Sequence, residues 1–226
     1  LFATGFRDGS TENADLVTII TTGQIAEGVN FIERLAEGLP GLAGAADPFA
    51  LKIGVAPKLR NVAILGNETA SGYISEAEVD ALAKNVDDAE VRRRMDAVEP
   101  TDMTMILYTS GTTSNPKGCM ISGASIIQNG RALAERYEMS EKDRFWSPLP
   151  MFHIAATFPL CACFDIGSAY ITQGYFNGGV SLKLLEDTKA TVTFPCFVTI
   201  IADMINHPNF ATTDLSHVRM MNSSIA

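Results

Sequence analysis

The sequence lacks several features that would point to particular classes of protein. No apolar run within its 226 residues reaches the ~18 consecutive residues that a membrane-spanning helix needs. Its 26 acidic residues outnumber its 17 lysines and arginines, and the resulting net charge of −9 argues against nucleic acid as the main partner. The first residues also lack the layout of a secretory signal peptide. We therefore expect a soluble, cytoplasmic protein with no transmembrane segment.

Cysteine and histidine are scarce, which bears on metal binding. The chain has four cysteines and three histidines. Cys161 and Cys163 are too closely spaced for a usual zinc site, and no histidine pair accompanies them. We expect the cysteines to be reduced and buried in apolar surroundings, and we assign no metal-binding residue.

From Met103 onward the chain alternates short β-branched or apolar runs with helical patterns. This order predicts βαβ units, and therefore an α/β fold with a mostly parallel β-sheet and flanking helices. The predicted strands are 103–107, 144–147, 169–172, 191–194 and 218–221, and the predicted helices follow Ser122 and span 152–164, 180–187 and 197–206.

The part before Met103 contains two further strand patterns, at 14–22 and 61–65. Between them a helix is predicted from the spacing of four apolar residues, and a long Gly-, Ala- and Pro-rich connection follows over 41–57. The four residues are Ile25, Val29, Ile32 and Leu35.

The segment from 66 to 100 is polar and charged, and it is the weakest point at which the chain could divide. Ser75 and Glu78 form a capping box, which predicts a helix from about Glu76. The basic run at 92–94 is flanked by acids, so we interpret it as a solvated helix face rather than a nucleotide-binding patch. We see no sharp domain boundary and treat residues 1–226 as part of one domain.

The most informative stretch is 108–118, read Tyr-Thr-Ser-Gly-Thr-Thr-Ser-Asn-Pro-Lys-Gly. It offers five Ser or Thr hydroxyls, two glycines and one lysine, but no acidic side chain. Hydroxyls and free backbone N–H groups donate hydrogen bonds, lysine adds a positive charge, and glycine lets a ligand approach the backbone. This combination suits a polyphosphate.

The same stretch is not a Walker A loop. That pattern needs a second glycine directly before the lysine and a Ser or Thr directly after it. Here Pro116 precedes Lys117 and Gly118 follows it. The alternative interpretation is an ordinary polar surface loop.

Residues 108–118 resemble the phosphate-loop signature of the adenylate-forming (AMP-binding) superfamily, which includes acyl-CoA synthetases, luciferases and the adenylation domains of peptide synthetases. The match departs at Ser114, where the family usually has glycine, and serine would strain a turn that needs positive φ. Pro148-Leu149-Pro150-Met151-Phe152-His153 resembles the next core motif of the family. The segment 219–226 is similar to the strand that leads towards the adenine site.

The resemblance implies part of the large N-terminal domain of an AMP-forming acyl-CoA synthetase. Such an enzyme activates a carboxylic acid, here a fatty or aryl acid, as an acyl-adenylate and transfers it to CoA, using ATP and Mg²⁺. It implies catalytic roles for Lys117 and His153, with His153 as a wall of the site rather than a general base. The residues implied to bind the ATP phosphates are Thr109, Ser110, Gly111, Thr112, Thr113, Lys117 and Gly118.

Other interpretations stay open. The chain could be a non-catalytic nucleotide-binding or structural domain, or a luciferase-like or peptide-synthetase adenylation domain. His153 could be a packed core residue, and the apolar segments 152–164 and 194–197 could be ordinary core rather than the lining of an acyl pocket. The magnesium-binding glutamate segment, the ribose-binding aspartate and the C-terminal domain of the family are not found in the sequence. We therefore expect an internal fragment with little or no catalysis of its own.

Overall fold

The computed structural model describes residues 15–25, 29–109 and 117–223. Two compact units are present: Leu1–Asp102 with Tyr108–Met120, and Met103–Leu107 with Ile121–Ala226. The described strands are β1 Thr18–Thr22, β2 Gln24–Ile25, β3 Val29–Asn30, β4 Asn61–Leu65, β5 Ile74–Ser75, β6 Met103–Tyr108, β7 Gly118–Ser122, β8 Arg144–Trp146, β9 Ala169–Ile171, β10 Val192–Cys196 and β11 Met220–Ser223. The described helices are α1 Phe31–Gly38, α2 Glu76–Ala83, α3 Asp88–Asp96, α4 Gly123–Arg136, α5 Ile154–Ile166, α6 Gly178–Thr188 and α7 Val198–Asn206.

The first unit is built on a three-stranded parallel sheet in the order β1-β4-β5. Both predicted strands of this region are confirmed, although β1 begins at Thr18 rather than at residue 14. The predicted long connection after α1 is also confirmed. It supplies core side chains, because Leu42, Leu51 and Ile53 pack with Val62 and Ile64 of β4.

The prediction that α1 includes Ile25 and Val29 is wrong. These residues lie in β2 and β3, which pair antiparallel with Ile25 opposite Val29. The helix begins only at Phe31, because the Asn30 side chain accepts hydrogen bonds from the N–H groups of Ile32 and Glu33. Asparagine is among the residues preferred at this capping position.

The two helices before β6 are as predicted. The capping box of α2 is formed, with the Glu78 N–H donating to Ser75 Oγ and the Ser75 N–H donating to the Glu78 carboxylate. In α3, Arg93 and Arg94 both pair with Glu90 on the exposed helix surface. The basic run therefore lies on a solvated helix face, where two of its three arginines pair with one glutamate.

The second unit contains a four-stranded parallel sheet in the order β11-β10-β8-β9. Helices α5, α6 and α7 connect its successive strands, which confirms the predicted βαβ arrangement and the α/β class. One part of the prediction fails, because the strand at Met103–Tyr108 does not join this sheet. It forms a separate two-stranded sheet with β7.

Helices cover both faces of the four-stranded sheet. Phe145 and Trp146 are consecutive in β8 and fully buried, so they point to opposite faces. Trp146 packs with Leu182 and Leu185 of α6 and Met204 of α7. Phe145 packs with side chains next to the other pair of helices, Tyr137 at the end of α4 and Cys163 of α5. The unit is thus a three-layer α/β structure.

Helices α4 and α5 approach each other closely at Gly130. A Cβ atom on Gly130 would lie 2.9 Å from the backbone nitrogen of Ala162, which is closer than real contacts allow. Ser122 caps α4 as predicted, accepting from the N–H of Ser125.

Among the predicted buried cysteines, Cys163 and Cys196 are buried and Cys161 is half-buried. Cys119 is exposed on β7, which corrects that part of the prediction.

A buried carboxylate joins the starts of three neighbouring strands. Asp143 accepts from Arg219 Nε at 2.9 Å, from Thr191 Oγ1 at 2.6 Å and from the N–H of Ser140 at 2.8 Å. Burial on its own would raise the pKa of Asp143, but these hydrogen bonds outweigh it and hold the pKa at about 2.

No helix in the described ranges is long and apolar enough to cross a membrane. The single-domain interpretation and the division near 66–100 stay predictions.

Candidate functional site

The candidate phosphate loop is closed at its base by Thr109 and Lys117. The backbone N–H of Thr109 donates to the carbonyl oxygen of Lys117 at 3.0 Å. In return, the N–H of Lys117 donates to Thr109 Oγ1 at 3.3 Å. Strand β6 ends directly before Thr109 and strand β7 begins directly after Lys117, so both residues are held by regular structure on either side of the loop.

The structure describes three of the predicted phosphate-binding residues, and these three lie close together. Thr109, Lys117 and Gly118 are all exposed at the base of the loop. Among the described residues, no ion pair occupies the Lys117 ammonium, so its charge can face a ligand. Ser110, Gly111, Thr112, Thr113 and Ser114 lie outside the described residues, and so does the predicted strain at Ser114.

His153 lies in the second unit, at the N-terminal end of α5. Its Nδ1 accepts a hydrogen bond from the N–H of Ala155 at 3.1 Å, so the imidazole serves as the helix cap. The backbone carbonyl oxygen of His153 accepts from the N–H of Ala156 at 2.9 Å, and its backbone N–H donates to the carbonyl oxygen of Pro150 at 2.9 Å. The residue is exposed, so the alternative of a packed core histidine is excluded.

The capping bond also fixes the chemistry that the imidazole can offer. Because Nδ1 is an acceptor, the proton of the neutral ring is on Nε2. The free edge of the ring is then a hydrogen-bond donor. A general base would need an unprotonated nitrogen on that edge. The role of His153 as a site wall stays a prediction.

Exposed apolar side chains follow the carboxyl ends of β8 and β10, which are adjacent parallel strands. Met151 and Phe152 follow β8, and Phe197 and Val198 follow β10; each is at least 41% exposed. Ligands of open parallel α/β sheets bind at this edge. The apolar helix predicted over this region is only partly core. In α5, Ala156 and Ala162 are buried, whereas Phe164 is exposed.

The other two histidines are placed differently. His207 ends α7 half-buried, and its Nδ1 accepts from the N–H of Asn209 at 3.2 Å. His217 is exposed and its Nε2 lies 3.8 Å from an oxygen of Asp214. In the ranges 15–25, 29–109 and 117–223, His, Cys, Asp and Glu form no group of three that could hold a metal ion.

A cavity of about 380 Å³ in the first unit was not predicted from the sequence. Its walls carry no charged or titratable side chain, so the cavity has no group suited to acid–base catalysis or to binding a charged ligand. The lining residues are Leu16, Thr18, Ile19, Ile20, Thr21, Thr22, Phe31, Leu35 and Leu65.

Sequence comparison identifies what this arrangement is similar to. The sequence model of one family, described as AMP-binding enzyme, matches residues 49–225. The chain is 34% identical over 175 residues to YngI of Bacillus subtilis (strain 168), which is named as an acyl-CoA synthetase, covering 77% of this chain and 32% of that protein. It is 26% identical over 180 residues to the mitochondrial medium-chain acyl-CoA ligase ACSF2 of Rattus norvegicus, covering 77% of this chain and 29% of the ligase.

The chain thus spans about a third of the length of these curated relatives, 32% and 29% respectively. A structural comparison supports the fold independently. The crystal structure of the N-terminal domain of FACL13 from Mycobacterium tuberculosis superposes with a TM-score of 0.70, covering 100% of this chain and 48% of that one. At 19% sequence identity this likeness establishes the fold alone.

Proposed function

Because the chain belongs to the AMP-binding enzyme family, we propose that it carries the ATP-phosphate loop of an AMP-forming acid–thiol ligase. The observation that supports this most is the position of the loop. Thr109 and Lys117 close it at the base, inside the region that the family model matches. Two relatives named as an acyl-CoA synthetase and a medium-chain acyl-CoA ligase support the ligase chemistry.

The proposed reaction has two displacements. An oxygen of the carboxylate attacks the α-phosphorus of ATP, the bond to the bridging oxygen breaks, and pyrophosphate leaves. The sulfur of coenzyme A then attacks the acyl carbon, the bond to the adenylate oxygen breaks, and AMP leaves while the thiol proton passes to solvent. Positioning and charge stabilisation dominate such phosphate chemistry.

In this proposal, Lys117 neutralises charge on the leaving phosphates. An exposed ammonium next to a loop with no acidic residue is suited to that task, because the sequence of the loop contains no carboxylate that would neutralise it. Thr109 Oγ1 orients the N–H of Lys117 and leaves its own hydroxyl proton for a phosphate oxygen. Ser110, Gly111, Thr112, Thr113 and Gly118 would contribute hydroxyls and backbone N–H groups around the same oxygens.

We propose that Mg²⁺ accompanies ATP as its counter-ion. Mg²⁺ in nucleotide sites is held largely by substrate phosphates and water, with one or two protein carboxylates. The described residues contain no ready-made cluster for it, so no residue of this chain is assigned to the metal.

We propose that the carboxylic acid substrate binds at the carboxyl ends of β8 and β10 in the four-stranded sheet. His153 presents an Nε2 donor there, and Phe152 and Phe197 present apolar surface. This combination suits an acid with an apolar body, either a fatty or an aryl acid, whose carboxylate needs one hydrogen-bond donor.

Calorimetric titration of the chain with ATP and Mg²⁺ tests the nucleotide part of the proposal. Lys117→Ala should weaken ATP binding by tenfold or more, because a charge-assisted hydrogen bond is worth roughly 1.5–3 kcal/mol. Lys52→Ala is the matched control, an exposed lysine of the same unit. Equal affinities for the wild type and Lys117→Ala would show that the loop is not the ATP site.

Pyrophosphate exchange tests the ligase part. Incorporation of labelled pyrophosphate into ATP, dependent on decanoate or phenylacetate, is expected from the protein that carries this chain. ATP binding without acid-dependent exchange in that protein would instead identify a non-catalytic nucleotide-binding domain.

A further inference from the structure

The strands β8 and β10 lose their backbone hydrogen-bond donors at the edge where His153 lies. Their paired residues are Phe145 with Val192 and Trp146 with Thr193. The next positions in the same register are Ser147 and Phe194, and after them Pro148 and Pro195. Proline has no N–H, so neither of these two residues can donate a backbone hydrogen bond between β8 and β10, although β10 still pairs with β11 at Cys196 and Ser223.

The Ser147 side chain spans this gap. Its Oγ donates to the carbonyl oxygen of Phe194 across the strand pair at 3.0 Å. The same Oγ accepts from the N–H of Leu149 at 3.4 Å, which lies between two prolines. Ser147 is fully buried, and its own N–H donates to Ile171 of β9 at 3.1 Å. One hydroxyl therefore joins the end of β10 to the segment that leaves β8.

This segment is the one that bears His153. Leu149, held by Ser147, is buried against Ala156 of α5 and Cys196 at the end of β10. The carbonyl of Pro150 then accepts from the N–H of His153 at 2.9 Å. Cys196 has φ +67°, which is unusual for a residue with a side chain, and the N–H of Phe197 bonds back to Pro195 at 2.8 Å. The turns carrying His153 and Phe197 are thus fixed to one another through Ser147, Leu149 and Cys196.

We propose that Ser147 is a positioning residue for the acid site, and that its hydroxyl sets the placement of His153 relative to Phe197. This inference rests on the proposed function, since it assigns the acid to these two side chains. It predicts that loss of the hydroxyl weakens binding of the acid and leaves binding of ATP unchanged.

Histidine NMR tests the placement directly, because the chain has only three histidines. In Ser147→Ala the side-chain signals of His153 should shift or broaden, while those of His207 and His217 keep their positions. Ser181→Ala is the matched control, since Ser181 is equally buried and its Oγ donates to Asn177 at 2.8 Å. Should the alanine variant not fold, Ser147→Cys retains the volume with a much weaker donor. Unchanged His153 signals in the folded variant would overturn the inference.

Affinities measured on the same proteins separate the inference from the proposed function. The dissociation constant of decanoate should rise about tenfold in Ser147→Ala, equivalent to about 1.4 kcal/mol, and stay unchanged in Ser181→Ala. ATP affinity should be equal in all three proteins. A parallel loss of ATP and decanoate binding would show a general structural role and overturn the inference. If the wild type binds no acid while Ser147→Ala still displaces His153, the acid assignment fails and the placement role stands.

Discussion

Thr109 and Lys117 bind each other twice across the base of the candidate phosphate loop, through N–H to carbonyl at 3.0 Å and N–H to hydroxyl at 3.3 Å. The second bond depends on a side chain, so the two ends of the loop are held together by more than the pairing of β6 with β7. A loop that is closed before ATP arrives loses less conformational entropy on binding.

Removing the hydroxyl of Thr109 is therefore expected to weaken ATP binding with little effect on stability. In Thr109→Val, the N–H of Lys117 loses its acceptor, but both groups are exposed and water replaces the bond. We expect a several-fold weaker ATP affinity by calorimetry, in line with about 1 kcal/mol per neutral hydrogen bond. Thr101→Val, an exposed threonine of the same unit, serves as control. An unaltered affinity in Thr109→Val would contradict a role for this hydroxyl.

His153 is expected to have two separable roles, as helix cap and as site wall. His153→Ala removes the acceptor for the N–H of Ala155 and should destabilise the protein by about 1 kcal/mol. His153→Asn supplies another good cap and should restore most of the stability measured by urea unfolding. If the imidazole also contacts the acid, Asn will not restore decanoate binding. Full recovery of both properties in His153→Asn would reduce His153 to a helix cap.

Asp143 should make the fold sensitive to acid. Its pKa is lowered to about 2 in the folded protein, against about 3.9 in an unfolded chain. The stabilisation is therefore complete above about pH 4 and is lost as the pH falls towards 2, with a size on the order of 2 kcal/mol. Asp143→Asn should lower stability at pH 7 and flatten its dependence on pH between about 4 and 2, as measured by urea unfolding.

The matched control for that experiment is Asp165→Asn. Asp165 also binds an arginine, with Arg131 Nη2 at 2.9 Å from its Oδ1, but the pair lies at the surface. Exposed ion pairs contribute little, so the loss of stability should be much smaller than in Asp143→Asn. Equal losses for the two variants would show that burial of Asp143 is not what makes its hydrogen bonds matter.

Gly130 is expected to tolerate no side chain. Alanine there would bring its Cβ to 2.9 Å from the Ala162 nitrogen, so α4 and α5 would have to separate. We expect Gly130→Ala to cost about 1–3 kcal/mol of unfolding free energy, the usual range for overpacking. Gly174→Ala meets no atom within 4 Å and should be close to neutral. A neutral Gly130→Ala would mean that the two helices can shift apart at little cost.

Much of the local structure follows from short-range rules that the sequence carries in full. The capping box at Ser75, the cap at Ser122 and the strand Asn61–Leu65 each depend on neighbouring residues and form as predicted. The helix around Val29 was predicted wrongly, because a capping asparagine at position 30 competed with apolar spacing and prevailed. In this segment the capping residue, and not the spacing of the apolar residues, marks where the helix begins.

The candidate site divides in the same way. The residues 108–118 and 148–153 could be selected from the sequence because their order is specific enough to indicate a family. The part played by Ser147 could not, because its partner, Phe194, lies 47 residues further along the chain. A serine followed by Pro-Leu-Pro is a visible signal, but it shows a bridge only once β8 and β10 are known to be neighbours.

The sequence by itself determined the α/β class and the family, and it selected the candidate phosphate-loop residues, since these are carried by periodicity and by a short ordered motif. Only the tertiary structure decided that β6 and β7 form their own sheet, that His153 caps a helix with its Nδ1, and that Asp143 joins three strand ends. These features depend on which strands pair and which side chains meet after the chain has folded. Such pairings are set by the total burial and hydrogen bonding of the whole fold, and no local stretch of sequence contains that information.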